Sequence, residues 1–130
     1  MNILKKTLII YSLMLMLLIA FVSCAGSPYR TQAAAEKHRK AMINLRPDMT
    51  RREVVDVMGP PDKTELYRGK QNEPILVYLY ITEGKDIVTR KWSEANYTPL
   101  VFVGERLMGW GWSYLNGTAK KYEFIIKKLY

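Results

Sequence analysis

The sequence contains one cysteine and one histidine among its 130 residues. Cys24 alone cannot form a disulfide bond within the chain or a metal site built from several cysteines. His38 alone cannot supply the two or three histidines of a hydrolytic zinc site. The sequence also lacks a serine elbow of the form Gly-x-Ser-x-Gly and a glycine-rich phosphate-binding loop. We therefore expect a non-enzymatic protein with no cofactor and no metal.

Few polar side chains remain as candidates for catalysis. His38 lies in a charged stretch, so we expect its side chain to be exposed and to act neither as a ligand nor as a base. Carboxylate pairs could form among four residues: Glu53, Asp56, Asp62 and Glu65. Glu53, however, is placed to cap a helix, and an aspartate at the position of Asp62, after Gly-Pro-Pro, commonly begins a turn.

The amino-terminal segment differs from the rest of the chain. Lys5 and Lys6 precede an apolar run from Leu8 to Val22, and small residues follow at 23–27. A positive start, an apolar middle and a small-residue end are typical of a secretory signal peptide. The run is short for a spanning helix, which needs about 20 residues; an uncleaved membrane anchor is the alternative interpretation.

The end of this run, Phe21-Val22-Ser23-Cys24, resembles the lipobox of bacterial lipoproteins, with phenylalanine in place of the preferred leucine. The resemblance implies that Cys24 receives a diacylglycerol on its thiol, is freed by cleavage before it, and then carries an acyl chain such as palmitate on its amino group. Ala25 follows the cysteine, where aspartate is associated with inner-membrane retention, so the resemblance favours the outer membrane. An ordinary signal peptide is the alternative, and the inner membrane and the cell surface remain open as locations.

The rest of the chain has the composition of one folded domain. A hydrophobic content of 48% and an aromatic content of 12% exclude wholesale disorder. We expect a signal peptide at 1–23, a lipidated tether at 24–32 and a single domain at 33–130. Loss of Lys5 and Lys6 with the leader lowers the net charge from +8 to +6. Such a charge suits nucleic acid, but an exported chain rarely meets it, so we expect no nucleic-acid partner.

Two helices are predicted at the start of this domain. Strong helix formers fill Ala33 to Leu45, and Pro47 ends that helix. Thr50 and Glu53 form a capping box at the start of the second helix, which buries Val54, Val55 and Met58. Gly59 can close it in a left-handed conformation, and the two prolines that follow prevent continuation.

Three or four antiparallel strands are predicted to follow, which makes the fold class α+β. The candidate strands are Lys63–Tyr67, Ile75–Ile81, Leu100–Val103 and a last strand from Arg106, with Ile87–Thr89 as a further extension. The last strand is predicted to place Met108, Trp110, Trp112 and Tyr114 on one face and to end at Asn116-Gly117. The tail is predicted as a third helix, with Tyr122, Ile125, Ile126 and Leu129 on one face, or as a final strand. The helix would pack on the domain or lie on an anionic membrane.

Two blocks of sequence resemble known families. Met49–Val54 leading to Met58–Pro61 resembles the signature of the BamE/SmpA-type lipoproteins, although Asp48 stands where that family has glycine. Thr98–Phe102 with Leu107–Gly111 is similar to a sister family of uncharacterised bacterial lipoproteins. The resemblance implies two helices on one face of a three-stranded antiparallel sheet. It also implies a periplasm-facing role like that of BamE, an accessory of the outer-membrane β-barrel assembly machine that contacts anionic phospholipid.

Together these features favour a membrane-anchored interaction or assembly module of the bacterial cell envelope, with an envelope protein or anionic phospholipid as partner. Gly109 and Gly111 leave one side of the last strand bare, so a partner could approach closely there. The candidate interaction surface combines aromatic and basic side chains: Arg90, Lys91, Arg106, Trp110, Trp112 and Tyr114. The alternative is a periplasmic inhibitor or a binding protein of another envelope enzyme.

Overall fold

The computed structural model describes residues 3, 6–7, 9–12, 28–84 and 92–126. The predicted lipidation site Cys24 lies outside these residues, as do the predicted strand extension at 87–89 and the end of the tail at 127–130. The described residues before position 13 are helical. Within the described ranges, no helix has the length and apolar character needed to cross a membrane.

From residue 28 onward, the described chain forms three helices and four strands, and it confirms the predicted α+β class. In chain order the elements are α1 (Pro28–Met42), α2 (Arg51–Met58), β1 (Lys63–Arg68), β2 (Pro74–Ile81), β3 (Tyr97–Val103), β4 (Arg106–Trp110) and α3 (Trp112–Tyr122), with a 3-10 turn (Glu94–Asn96) before β3. All four strands pair antiparallel in the order β1-β2-β3-β4. Sequential strands are therefore neighbours throughout the sheet.

One face of the sheet is covered by α1 and α2. Because side chains alternate between the faces of a strand, the even-numbered residues of β2 and β3 point toward these helices. The buried cluster on this face comprises Leu45, Val54, Met58, Tyr80, Leu100, Phe102 and Leu107. This arrangement agrees with the two helices predicted from the sequence.

The other face is covered by α3 and the segment after it. Its buried cluster comprises Tyr67, Ile75, Val77, Leu79, Tyr97, Val101 and Leu115, and the side chains of Phe124 and Ile126 pack against it. The molecule therefore has three layers, with the sheet in the middle. The two-layer arrangement implied by the family resemblance lacks this third layer.

The predicted capping box of α2 is present, and Gly59 ends the helix with a positive φ but outside the left-handed helical region predicted for it. The Glu53 amide donates to the Thr50 hydroxyl at 3.2 Å, and the Thr50 amide donates to the Glu53 carboxylate at 2.7 Å. The hydrogen bonds from the Thr50 amide and hydroxyl lower the pKa of Glu53. At the other end, Gly59 has a φ of 82°, a conformation that is open to glycine at little cost.

The start of α1 differs from the prediction, which placed a tether up to residue 32. The helix begins at Pro28, because proline suits the first helical position, where its missing amide hydrogen costs nothing. The helix ends at Met42, and Leu45 follows in a turn as part of the core.

The predicted last strand is wrong beyond Trp110. The chain turns at Gly111, whose φ is 94°, and enters α3 at Trp112. Asn116 and Gly117, predicted to break a strand, lie inside this helix. Leu115, Thr118 and Ala119 are its buried residues, at the spacing of one helical face.

The predicted C-terminal helix is present as α3, but it spans Trp112–Tyr122 and ends before Ile125 and Ile126, which were predicted to lie on its apolar face. Glu123 ends α3 in a left-handed conformation, with a φ of 54°. Residues 124–126 then run without regular structure, with Phe124 against the ring of Tyr67 at a centroid distance of 4.9 Å. Ile125, predicted to share a face with Ile126, is instead 90% exposed.

The Tyr80 hydroxyl joins the sheet to the end of α2, since it donates to the Gly59 carbonyl at 2.8 Å. Burial raises the pKa of this hydroxyl. Tyr80→Phe removes the bond while keeping the buried ring, so we expect a loss of about 1 kcal/mol in the free energy of unfolding. Urea denaturation measures it. Tyr78→Phe is the matched control, because the Tyr78 ring packs in the same cluster; an equal loss in both variants would contradict the assigned role.

Candidate interaction site

The six residues of the predicted interaction surface do not form one face. Arg90 and Lys91 lie outside the described residues. Trp110 packs against the cluster under α1 and α2, whereas Trp112 packs against the cluster on the opposite face. The Trp112 indole donates to the carbonyls of Glu94 and Tyr97 at 3.0 and 2.9 Å. The prediction that Trp110, Trp112 and Tyr114 share one side of a strand is thus wrong, because the strand ends before Trp112.

The bare side predicted at Gly109 is covered by the chain itself. A Cβ at this position would lie 2.6 Å from the Tyr114 ring, so glycine is required for the ring to lie this close to β4. No atom lies within 4 Å of a Cβ built at Gly111, and its φ of 94° explains why glycine occurs there. The close approach predicted for a partner is therefore made by Tyr114.

The side chains of this region that remain exposed lie along β4. Arg106 begins this strand with a side chain that is 54% exposed, and Met108 is 43% exposed at an irregularity in the pairing with β3. Tyr114 is 39% exposed beside Gly109. We call these three residues with the half-buried Trp110 the β4 edge. It retains three of the predicted contact residues in one region.

The first half of β4 has its outer side occupied by the segment before α2. The Asp48 amide donates to the Leu107 carbonyl at 2.7 Å, and the Leu107 amide donates to the Met49 carbonyl at 2.8 Å. Asp48 has a φ of 73°, a conformation that glycine adopts more readily than other residues. Backbone pairing therefore leaves only the second half of the β4 edge open.

Charged side chains surround this junction. Arg51 forms an ion pair with Glu105, and Arg106 donates to the Asp48 carbonyl at 3.0 Å. Within the described ranges, Arg46 and Arg52 form no ion pair. The positive charges of Arg46 and Arg106 contribute to the lowered pKa of Glu53. We call Arg46, Arg51, Arg52 and Arg106 the arginine surface. Its guanidinium groups are suited to hold carboxylate or phosphate groups.

A polar cluster that was not predicted from the sequence surrounds His38. This side chain is 7% exposed, not exposed as predicted, because α1 crosses the end of β2. Its Nδ1 donates to the Ile81 carbonyl at 2.7 Å and lies 3.7 Å from the Asp62 carboxylate. The Ile81 amide donates to the same carboxylate at 2.7 Å, and Arg39 bonds to the Thr82 carbonyl.

The geometry of this cluster is that of a helix docked on a strand end. His38 and Asp62 bond to the backbone groups of Ile81, which lies in β2 beyond the end of its pairing with β1. The His38 ring meets Tyr80 edge-on at 5.1 Å. The spacing of the buried residues Ala35 and His38 is a signal that could have revealed it, since they lie on one helical face.

Two further features bear on chemistry. An open groove of about 520 Å³ lies between α3 and the tail, lined by Asn116, Ala119, Lys120, Phe124, Ile125 and Ile126. In the described part of the chain, no group of three or more His, Cys, Asp or Glu side chains could hold a metal ion.

The contact between Gly109 and Tyr114 can be tested by substitution. Gly109→Ala forces the Tyr114 ring away from β4, so we expect a loss of about 1 kcal/mol in the free energy of unfolding. In the background of Tyr114→Ala the ring is absent, so we expect the same substitution to cost less. Thermal or urea unfolding of the four proteins measures the coupling. An equal cost of Gly109→Ala in both backgrounds would contradict the proposed contact.

A comparison with protein families found a match over residues 23–116, which is most of the chain, to the family described as "Protein of unknown function (DUF3192)". The matched region extends from the residue before Cys24 into the middle of α3. Comparisons with curated proteins and with solved structures found no match. The chain therefore belongs to the DUF3192 family of proteins of unknown function.

Proposed function

We propose that this protein is a lipoprotein of the bacterial cell envelope that acts as a non-enzymatic interaction or assembly module. It is held by acyl chains on Cys24, in the outer membrane and facing the periplasm, where it serves the biogenesis or maintenance of that membrane. The observation that carries the proposal is the lipobox-like sequence Phe21–Cys24, which lies directly before a folded domain.

A chemical argument supports Cys24 as the lipid site. The cysteine stands at the boundary between an apolar leader and the first helix of the domain, where a lone thiol has no disulfide partner in the chain. One acyl chain gives only reversible membrane binding, whereas several chains give stable attachment, since each buried methylene contributes about 0.8 kcal/mol. Multiple acylation would therefore keep the domain at the bilayer.

The two surfaces of the domain support a role in binding. The β4 edge combines an aromatic ring, a methionine and an arginine, which are side chains enriched at protein interfaces. The arginine surface adds guanidinium groups suited to carboxylates of an envelope protein or to anionic phospholipid headgroups. We propose the β4 edge, with Arg106 shared by both surfaces, as the contact for an envelope protein.

Lipidation is tested by Cys24→Ser in the full chain. Because serine lacks the thiol that accepts diacylglycerol, we expect loss of labelling by a clickable palmitate analogue and loss of the mature, acylated mass. Ser23→Ala is the matched control, since the lipobox accepts a small residue there, and it retains both signals. Unchanged labelling and membrane attachment of the Cys24→Ser protein would refute the localisation.

The β4 edge is tested by placing a photoreactive amino acid at Met108 or Tyr114 in cells. We expect a crosslink to an envelope protein from each position, because both side chains are exposed beside the open part of β4. Ile125 is the control: it is 90% exposed but lies on the tail that packs against Tyr67, which belongs to the strand at the other edge of the sheet. The same crosslinked products from Ile125 would contradict a specific surface.

A further inference from the structure

We infer that the lipid anchor fixes the orientation of the domain, so that the end of the sheet at Ile81 faces the bilayer and the arginine surface faces away from it. This inference rests on the proposed function, because it requires a lipid on Cys24. It adds that the arginine surface is presented to the aqueous space and not to lipid headgroups.

The chain between the lipid site and α1 is short. Cys24 precedes Pro28, the first residue of α1, by four residues. Even a fully extended chain spans at most about 3.6 Å per residue, so the start of α1 lies within about 14 Å of the acylated cysteine. The bilayer surface is therefore close to the amino terminus of α1.

The direction of α1 along the sheet follows from its contacts. His38 and Arg39 bond to the carbonyls of Ile81 and Thr82 at the end of β2. Earlier in the helix, Gln32 lies beside Gly84, since a Cβ built at Gly84 would be 2.8 Å from the Gln32 side-chain oxygen. At 1.5 Å per residue, the helix extends about 15 Å from His38 back to Pro28, in the direction away from the sheet.

Three segments form the end of the sheet from which α1 extends. We call it the proximal end: residues 82–84, the 3-10 turn Glu94–Asn96 and the start of α3. The Asn96 side chain donates to the Gly84 carbonyl at 2.6 Å, and the Trp112 indole donates to the Glu94 carbonyl at 3.0 Å. These bonds join the segments into one end of the molecule.

The opposite, distal end is formed by the turn at 69–73 and the turn at 104–105. The Gly104 amide donates to the Pro74 carbonyl at 3.4 Å, which places both turns at the start of β2. The Arg51 amide donates to the Glu105 carbonyl at 3.2 Å, and the arginine surface begins there. The eight residues of β2 separate the two ends by about 23 Å, at about 3.3 Å per residue.

These distances decide the orientation. Measured from the anchor, the distal end is farther away than the proximal end, because the first part of α1 and the whole of β2 lie between the anchor and the distal end. A tether of at most about 14 Å lets the domain tilt but cannot bring the distal end to the bilayer ahead of the proximal end. The arginine surface is consequently presented to the aqueous space.

Spin labels on the full-length, acylated protein in phospholipid vesicles test this orientation. The proximal variants are Glu83→Cys and Ala95→Cys, and the distal variants are Gln71→Cys and Glu105→Cys; all four positions are exposed. Since acylation consumes the thiol of Cys24, each variant carries one free thiol. A nickel-chelating lipid in the vesicles enhances relaxation of labels close to the surface. We expect proximal labels to relax several times faster than distal labels.

The outcomes separate the inference from the proposed function. The orientation is overturned if relaxation is enhanced equally in all four variants or more strongly in the distal pair. If the protein still floats with the vesicles, the lipid anchor stands. If the unsubstituted protein carries no acyl group and fails to float, the proposed function and the orientation fall together. Faster relaxation confined to the proximal pair supports both.

Discussion

Strands β2 and β3 are buried on both faces, so the sheet needs a helical cover on each side. Ile75, Val77 and Leu79 are fully buried toward α3, and Leu100 and Phe102 are fully buried toward α1 and α2. Complete burial of an aliphatic or aromatic side chain contributes about 1.5–3 kcal/mol. A cover on one face alone would leave half of this apolar surface in water, and the third layer follows from that constraint.

The helices that cover the sheet must also supply hydrogen-bond partners for backbone groups of β2. Ile81 pairs with Tyr97 of β3, but the pairing with β1 stops at Leu79, so the backbone groups of Ile81 on the β1 side lack a strand partner and must bond elsewhere. His38 from α1 and Asp62 from the loop after α2 meet these groups, and Tyr80 bonds to Gly59 at the end of α2. The apolar and polar contacts thus act together in docking both helices on the same end of β2.

The same helix that covers the sheet also begins four residues after the proposed lipid site. Membrane attachment and core packing therefore depend on one element, α1. If the helix is docked, the domain has a defined proximal end and a defined distal end relative to the bilayer. The β4 edge then runs along the side of the domain between the two ends, where the proposed envelope partner would bind.

The sequence was sufficient to predict an element where the residues of that segment determine its structure. The capping box of Thr50 and Glu53 and the apolar runs of β2 and β3 predicted α2 and the centre of the sheet. The lipid anchor that the leader suggests stays a prediction. Contacts between distant segments decided the rest. Trp110, Trp112 and Tyr114 alternate as a strand would, but the chain forms a helix from Trp112 because the second face of the sheet needs Leu115 as cover. His38 is buried for the same kind of reason: burial depends on what packs opposite a side chain, and that is a property of the fold and not of the neighbouring residues.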